Sequence, residues 1–138
     1  MQIDVTRDVF RLAQVFTISR GSRTEAKVLT VRITEGGVTG WGECVPYARY
    51  DETLESVTAQ IEGLTGTLTR AALYDLLPAG AARNAVDCAL WDLEAKRAGR
   101  RVWDLAGLPA PGPEITAYTL SLDTPEAMQA QAAKHAHR

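Results

Sequence analysis

The stretch AARNAVDCALWDLEAKRAG, residues 81–99, leaves this chain few ways to fold. It is rich in good helix formers and holds no breaker before Gly99, which follows Lys96 and Arg97 as a C-terminal stop. At 100° per residue, Arg83, Asp87 and Glu94 share one narrow strip. Ala85, Val86, Cys88, Ala89, Leu90, Trp91, Leu93 and Ala95 spread over most of the remainder. An ordinary surface helix carries a narrower apolar stripe, so this one is expected to be covered on more than one side. Its small residues allow a neighbour to come close. Asp92 falls inside the apolar arc with Lys96 one turn on, and a carboxylate there needs a partner. A structural salt bridge or cap is the expected role for Asp92.

The rest of the chain must supply that cover. Its 138 residues suffice for a domain with a real core. The formal charge of −2 argues against a general nucleic-acid or membrane-surface role. No run of 18 apolar residues is available to span a membrane. The start, MQIDVTRDVFRL, is too charged for a signal peptide. Cys44 and Cys88 have no metal-ligand spacing, and the expectation is two reduced thiols in a cytoplasmic protein.

Residues 1–10 alternate as a strand, through Ile3 and Val5. Residues 16–23, FTISRGSR, are predicted as a loop from their Gly and Ser content. Residues 26–34 are predicted as a strand, with Leu29, Val31 and Ile33 on one face. Gly36-Gly37 makes a hairpin turn, and residues 38–44 return as a third antiparallel strand. Pro46 ends it. Asp51 or Thr53 caps a helix reaching about Gly63, with Leu54, Val57, Ile61 and Leu64 on its apolar face. A short helix over 69–77 stops at Pro78, and another helical turn follows the long helix at 102–105. Three prolines within 109–113 mark a linker. Beyond it, 115–122 is predicted as a strand, and Asp123-Thr124-Pro125-Glu126 starts a helix over 127–135. The expected organisation is an α+β domain over 1–110, strands then helices, followed by one strand and one helix over 111–138. A lone strand–helix pair cannot bury both faces of its strand. Those residues therefore belong to something larger or pack incompletely.

Motif chemistry is sparse. There is no phosphate loop, nucleophile elbow or metal-ligand cluster. His135 and His137 are two apart, share no helix face, and suit a frayed terminus. Glu43 suits an exposed strand end. Arg20 and Arg23, within four residues of a Gly/Ser loop, are either solvated charges or a carboxylate clamp, for which the planar guanidinium fork is suited.

Residues 16–26 (FTISRGSRTEA), 40–50 (GWGECVPYARY) and 77–93 (LPAGAARNAVDCALWDL) together resemble the N-terminal part of the enolase superfamily. The narrower resemblance is to the dipeptide epimerases of its muconate-lactonizing subgroup, and it runs the length of the chain in order. It implies an enolase-like α+β capping domain followed by the first βα unit of a modified TIM barrel, incomplete here. It implies an active site between capping loops and the C-terminal ends of barrel strands. In such enzymes an α-proton is removed from a carboxylate substrate through an enolate and returned to the other face, with Mg²⁺ stabilising the enolate.

By the same resemblance Arg20 is the loop arginine that meets the glutamate carboxylate of an Ala-Glu type dipeptide, with Arg23 as a second candidate. Thr119 contacts substrate, and Tyr50 walls the pocket. The resemblance places the catalytic lysines and the three Mg²⁺ carboxylates on later barrel strands, so none of them is expected among these residues. No catalytic residue and no metal ligand is assigned here, and the chain alone is expected to be inactive. A homo-oligomer, in the cytoplasm, serving cell-wall-peptide metabolism, is implied for the complete enzyme. The alternatives are another enzyme of the superfamily (cycloisomerase, acid-sugar dehydratase or racemase) and a truncated, non-catalytic binding protein. Without a barrel over it, the Trp91 and Leu90 side of the 81–99 helix is expected to lie exposed and to favour association.

Overall fold

Three strands form one sheet in the order β1-β2-β3, in a computed structural model that describes residues 1–136. The expectation for His137 falls outside the described residues. β1 is Gln2–Ile18, β2 is Gly21–Glu35 and β3 is Val38–Cys44. The helices are α1 (Leu54–Glu62), α2 (Arg70–Leu76), α3 (Ala81–Ala98), α4 (Val102–Leu105) and α5 (Pro125–His135). The chain divides into two compact units, one of residues 1–8 and 27–111, the other of residues 9–26 and 112–138.

In the first unit, β2 and β3 pair antiparallel with Leu29 opposite Cys44, Val31 opposite Gly42 and Ile33 opposite Gly40. All six of these residues are buried. The alternate pairs are Thr30–Glu43, Arg32–Trp41 and Thr34–Thr39. They are the polar face of the same register, since side chains alternate along a strand. Gly36 and Gly37 take φ of 59° and 79° in the connecting turn, as a two-residue hairpin requires.

The long helix packs on this sheet at the distance its small residues allow. A Cβ added at Gly42 would lie 2.0 Å from the carbonyl oxygen of Ala85, and one at Gly40 would lie 2.1 Å from that of Ala89. Glycines in β3 and alanines in α3 thus bring two backbones together. Ala82, Ala85, Val86, Ala89, Leu90, Leu93 and Ala95 are buried there. Val57 and Ile61 of α1 and Leu73 of α2 complete the core with Leu29, Val31 and Ile33. Burial of apolar surface at about 25 cal/mol per Å² is the main force holding these layers together. Thr53, not Asp51, caps α1, in a capping box with Ser56. Thr69 caps α2, and Gly99 closes α3 in a left-handed conformation.

Two expectations about α3 are corrected. Leu90 is 2% exposed and Trp91 is half-buried, so no bare apolar side remains there. The Arg70 guanidinium, delivered by α2, stacks 3.4 Å from the centre of the Trp91 ring and ion-pairs with Glu94 at 3.0 Å. The predicted polar strip of Arg83, Asp87 and Glu94 is likewise partly covered, while Asn84 and Cys88 are open to solvent. Polar groups on α2 and the following loop, including the Leu77 carbonyl that accepts from Arg83, make the strip a contact face.

In the second unit the predicted loop over 16–23 is instead the end of a hairpin. β1 runs to Ile18 and β2 begins at Gly21, leaving only Ser19 and Arg20 in the turn. Strand pairing overrides the Gly/Ser composition, because every paired residue satisfies its backbone groups. Thr17 and Ser22 face each other across the hairpin, Oγ1 to Oγ, at 2.8 Å. The predicted strand over 115–122 forms no sheet ladder. α5 starts as expected, with Thr124 as cap and Pro125 in the first turn. The Tyr118 ring packs on His135 of α5, centres 4.3 Å apart.

Candidate functional site

In the first unit the candidate residue is Tyr50, and its position follows from how β3 ends. Pro46 cannot extend the ladder, and the chain turns at once into a 3-10 turn over Ala48–Tyr50. The Tyr47 carbonyl accepts from the Tyr50 and Glu52 amides at 2.8 and 3.4 Å. Asp51 then takes φ of 57°, which a short polar residue tolerates. The loop displays Tyr50 with 72% of its surface exposed, beside Tyr47 at 6.1 Å between ring centres. Behind them is a cavity of about 570 Å³ lined by Cys44, Val45, Tyr47, Tyr50, Glu52, Ala79, Gly80, Ala81 and Asn84.

Glu52 was not singled out by sequence reasoning, yet it joins this loop to α3. Its Oε1 accepts from the Ala81 amide at 2.6 Å and its Oε2 from the Tyr47 amide at 3.3 Å. Gly80 supplies no side-chain cap, so the carboxylate takes that place at a helix N-terminus, where negative charge is favoured. The signal was present: a long helix preceded by Ala-Gly, with no Ser, Thr, Asp or Asn, must find its cap elsewhere.

The second unit holds Arg20, Arg23 and Thr119, all exposed. Arg20 occupies the hairpin turn; Arg23 lies on β2, its guanidinium 5.7 Å from the Phe16 ring centre. Ser121 fixes the segment that carries Thr119. Its hydroxyl is buried, accepts from the Thr17 amide at 3.0 Å and donates to the Val15 carbonyl at 3.2 Å. The Leu122 amide donates to the Thr17 carbonyl at 2.9 Å. Two residues from Thr119, the chain is thus tied to the strand that leads into the Arg20 turn. Ser121 is a second residue the sequence did not mark, because nothing local announces a buried hydroxyl.

Other candidates are structural. Asp92 Oδ2 accepts from the Trp41 amide at 2.8 Å and from Lys96 at 2.6 Å, and Lys96 also donates to the Thr39 carbonyl at 3.0 Å. These side chains satisfy the free edge of β3. Glu43 is exposed at the strand end. Burial, aided by Glu52 and Glu43, pushes the Cys44 thiol up to about 11. Burial and Asp87 also raise that of Cys88. Both stay protonated near neutrality, which is the unreactive form. Among the described residues no three His, Cys, Asp or Glu side chains stand together as a metal site requires. The candidate residues present guanidinium groups, a hydroxyl and a phenol, groups able to hydrogen-bond and, for the guanidiniums, to pair with an anion.

Residues 1–107 match the family described as mandelate racemase / muconate lactonizing enzyme, N-terminal domain. The L-Ala-D/L-Glu epimerase of Escherichia coli is 48% identical over 130 residues, covering 91% of this chain and 40% of that protein. A crystal structure of an enolase family member from Agrobacterium tumefaciens with homology to dipeptide epimerases, holding sodium and L-Ala-L-Glu, is 51% identical. It superimposes with a TM-score of 0.92 over 99% of this chain and 43% of its own. A dipeptide epimerase from Methylococcus capsulatus, complexed with Mg and L-Arg-D-Lys, is 29% identical with a TM-score of 0.82, over 98% of this chain and 42% of its own. The chain therefore spans about two fifths of the length of the proteins it matches.

Proposed function

The chain belongs to the mandelate racemase / muconate lactonizing enzyme N-terminal domain family, and we propose that it is the substrate-capping part of a dipeptide epimerase acting on Ala-Glu type dipeptides. The observation that carries this reading is the likeness, in sequence and fold together, to a protein that holds L-Ala-L-Glu. In this reading Arg20, presented at a hairpin tip, pairs with the side-chain carboxylate of the substrate's glutamate. Arg23, three residues further on in β2, adds positive charge to the same approach. Tyr50 walls the pocket, and the Thr119 hydroxyl contacts the substrate. A charge-assisted bond to a carboxylate is short and directional, so it selects acidic over neutral dipeptides.

Mg²⁺, as present in the Methylococcus capsulatus relative, would supply electrophilic stabilisation of an enolate. The described residues contain no ligand set for it, so we assign metal binding and proton transfer to the part of the relatives that this chain does not span. A cytoplasmic, homo-oligomeric enzyme of cell-wall-peptide metabolism is the setting we propose.

The test uses a chimera in which this chain replaces the matching residues of the Escherichia coli relative. Arg20→Met is expected to raise KM for L-Ala-L-Glu about 10-fold or more, the worth of a charged hydrogen bond, and to leave KM for L-Ala-L-Ala nearly unchanged. Equal loss on both substrates would remove the clamp.

A further inference from the structure

We infer that Glu52 is a positioning residue for substrate selection: by tying the Tyr47–Tyr50 loop to the first turn of α3, it sets where the Tyr50 ring stands at the mouth of the cavity. This rests on the reading above that Tyr50 walls the substrate pocket.

Glu52 accepts from the backbone amides of two other residues that line the cavity. One, Ala81, opens an 18-residue helix anchored in the core, and the other, Tyr47, opens the loop that carries Tyr50. A carboxylate can accept both bonds at once, since each oxygen has lone pairs to spare. Gly80 leaves room for it, because a Cβ there would lie 2.7 Å from Glu52 Oε1. Apart from those of Glu52, the hydrogen bonds found within the loop among the described residues are short-range backbone bonds, Tyr50 to Tyr47 and Asp51 to Ala48. Tyr50 itself is 72% exposed, and the one ring contact found for it among the described residues is Tyr47 of the same loop. Glu52 is therefore the side chain whose hydrogen bonds tie this loop directly to the first turn of α3. Such a tie reduces the loop's freedom before substrate arrives, and a pre-organised contact strengthens binding without touching the reacting atoms.

Two substitutions separate the parts of the tie. Glu52→Ala removes both bonds. Glu52→Gln keeps an acceptor for Ala81, the shorter bond, but offers a donor group where the Tyr47 amide needs an acceptor. In the chimera, Glu52→Ala is expected to raise KM for L-Ala-L-Glu about 10-fold with kcat within about twofold, and Glu52→Gln to fall between wild type and Ala. The decisive measurement is a double-mutant cycle with Tyr50→Ala. If Glu52 acts through Tyr50, Glu52→Ala adds less than about twofold to KM once the ring is gone. Full additivity, or a loss confined to kcat or melting temperature, overturns the inference. Amide hydrogen exchange on the 138-residue chain itself decides the physical step apart from activity. Glu52→Ala must speed exchange at Tyr47 and Tyr50 at least 10-fold more than at Val31 in β2, and equal protection at both overturns the inference. A chimera without epimerase activity counts against the proposed function alone, because the exchange result stands on its own.

Discussion

β3 and residues 115–122 have the same kind of sequence and opposite fates. Both are short, alternate in side-chain character and follow a turn or linker. β3 has β2 on one side, and on the other the side chains of Asp92 and Lys96, which take the amide of Trp41 and the carbonyl of Thr39. Its inward residues, Gly40, Gly42 and Cys44, lie buried against the core. In 115–122, Ile115 is fully exposed, Tyr118 is 62% exposed, and the segment joins no ladder. Its fixed points are the Ser121 hydroxyl and the Leu122 amide on β1. Alternation marks a segment that is able to become a strand. A neighbour with free backbone groups makes it one.

The comparison breaks first at Gly42. Gly42→Ala puts a methyl group 2.0 Å from a helix carbonyl oxygen, so backbone must move. A loss of about 3 kcal/mol in urea unfolding is expected, at the upper end of ordinary overpacking. A change under about 0.5 kcal/mol, the size of an ordinary surface substitution, would show that α3 does not sit on β3 as described.

Cys44, at the end of β3, sharpens the same point through pH. Its thiol is raised from 9.0 to about 11 in the folded chain, chiefly by burial. The folded state therefore holds its proton more tightly than the unfolded state. The contribution is complete below about pH 9 and is lost as pH rises toward 11. Unfolding free energy measured from pH 8 to 11 is expected to fall more steeply in wild type than in Cys44→Ala. Parallel slopes would mean that the thiol is solvated.

The smallest effect is expected in the other member of the pair. Ile115→Thr should change stability by less than about 0.5 kcal/mol, because the residue buries nothing in this chain. A loss above about 1 kcal/mol, half or more of what full burial of such a side chain is worth, would reveal a packing partner for it.

Much of this was legible beforehand. The hairpin at Gly36-Gly37, the extent of β3, the narrowing of the α1 cap to Asp51 or Thr53, the start of α5 within 123–126 and the stop at Gly99 follow from local backbone chemistry, which a few neighbouring residues settle. The breadth of the apolar arc on 81–99 announced a helix with several neighbours, and α3 does touch β3, α1, α2 and α4. The candidate site was legible only in part. Arg20, Arg23, Tyr50 and Thr119 were named by resemblance. Glu52 and Ser121 were not, because each acts on residues 29 or about 100 positions away. Hairpin pairing through 16–23 was missed for a related reason: composition counted Gly and Ser, whereas the ladder depends on the opposing strand.

By itself, then, the sequence determined where helices start and stop, which strand faces are apolar, and that one helix must be enclosed. Those are properties of dihedral preference, capping and side-chain period, all of short range. Only the tertiary structure decided that α2 would cover Trp91, that a distant glutamate would cap α3, and that 115–122 would remain without a ladder. Each depends on groups far apart in the chain meeting in space, where hydrogen bonds and burial are satisfied between elements and not within them.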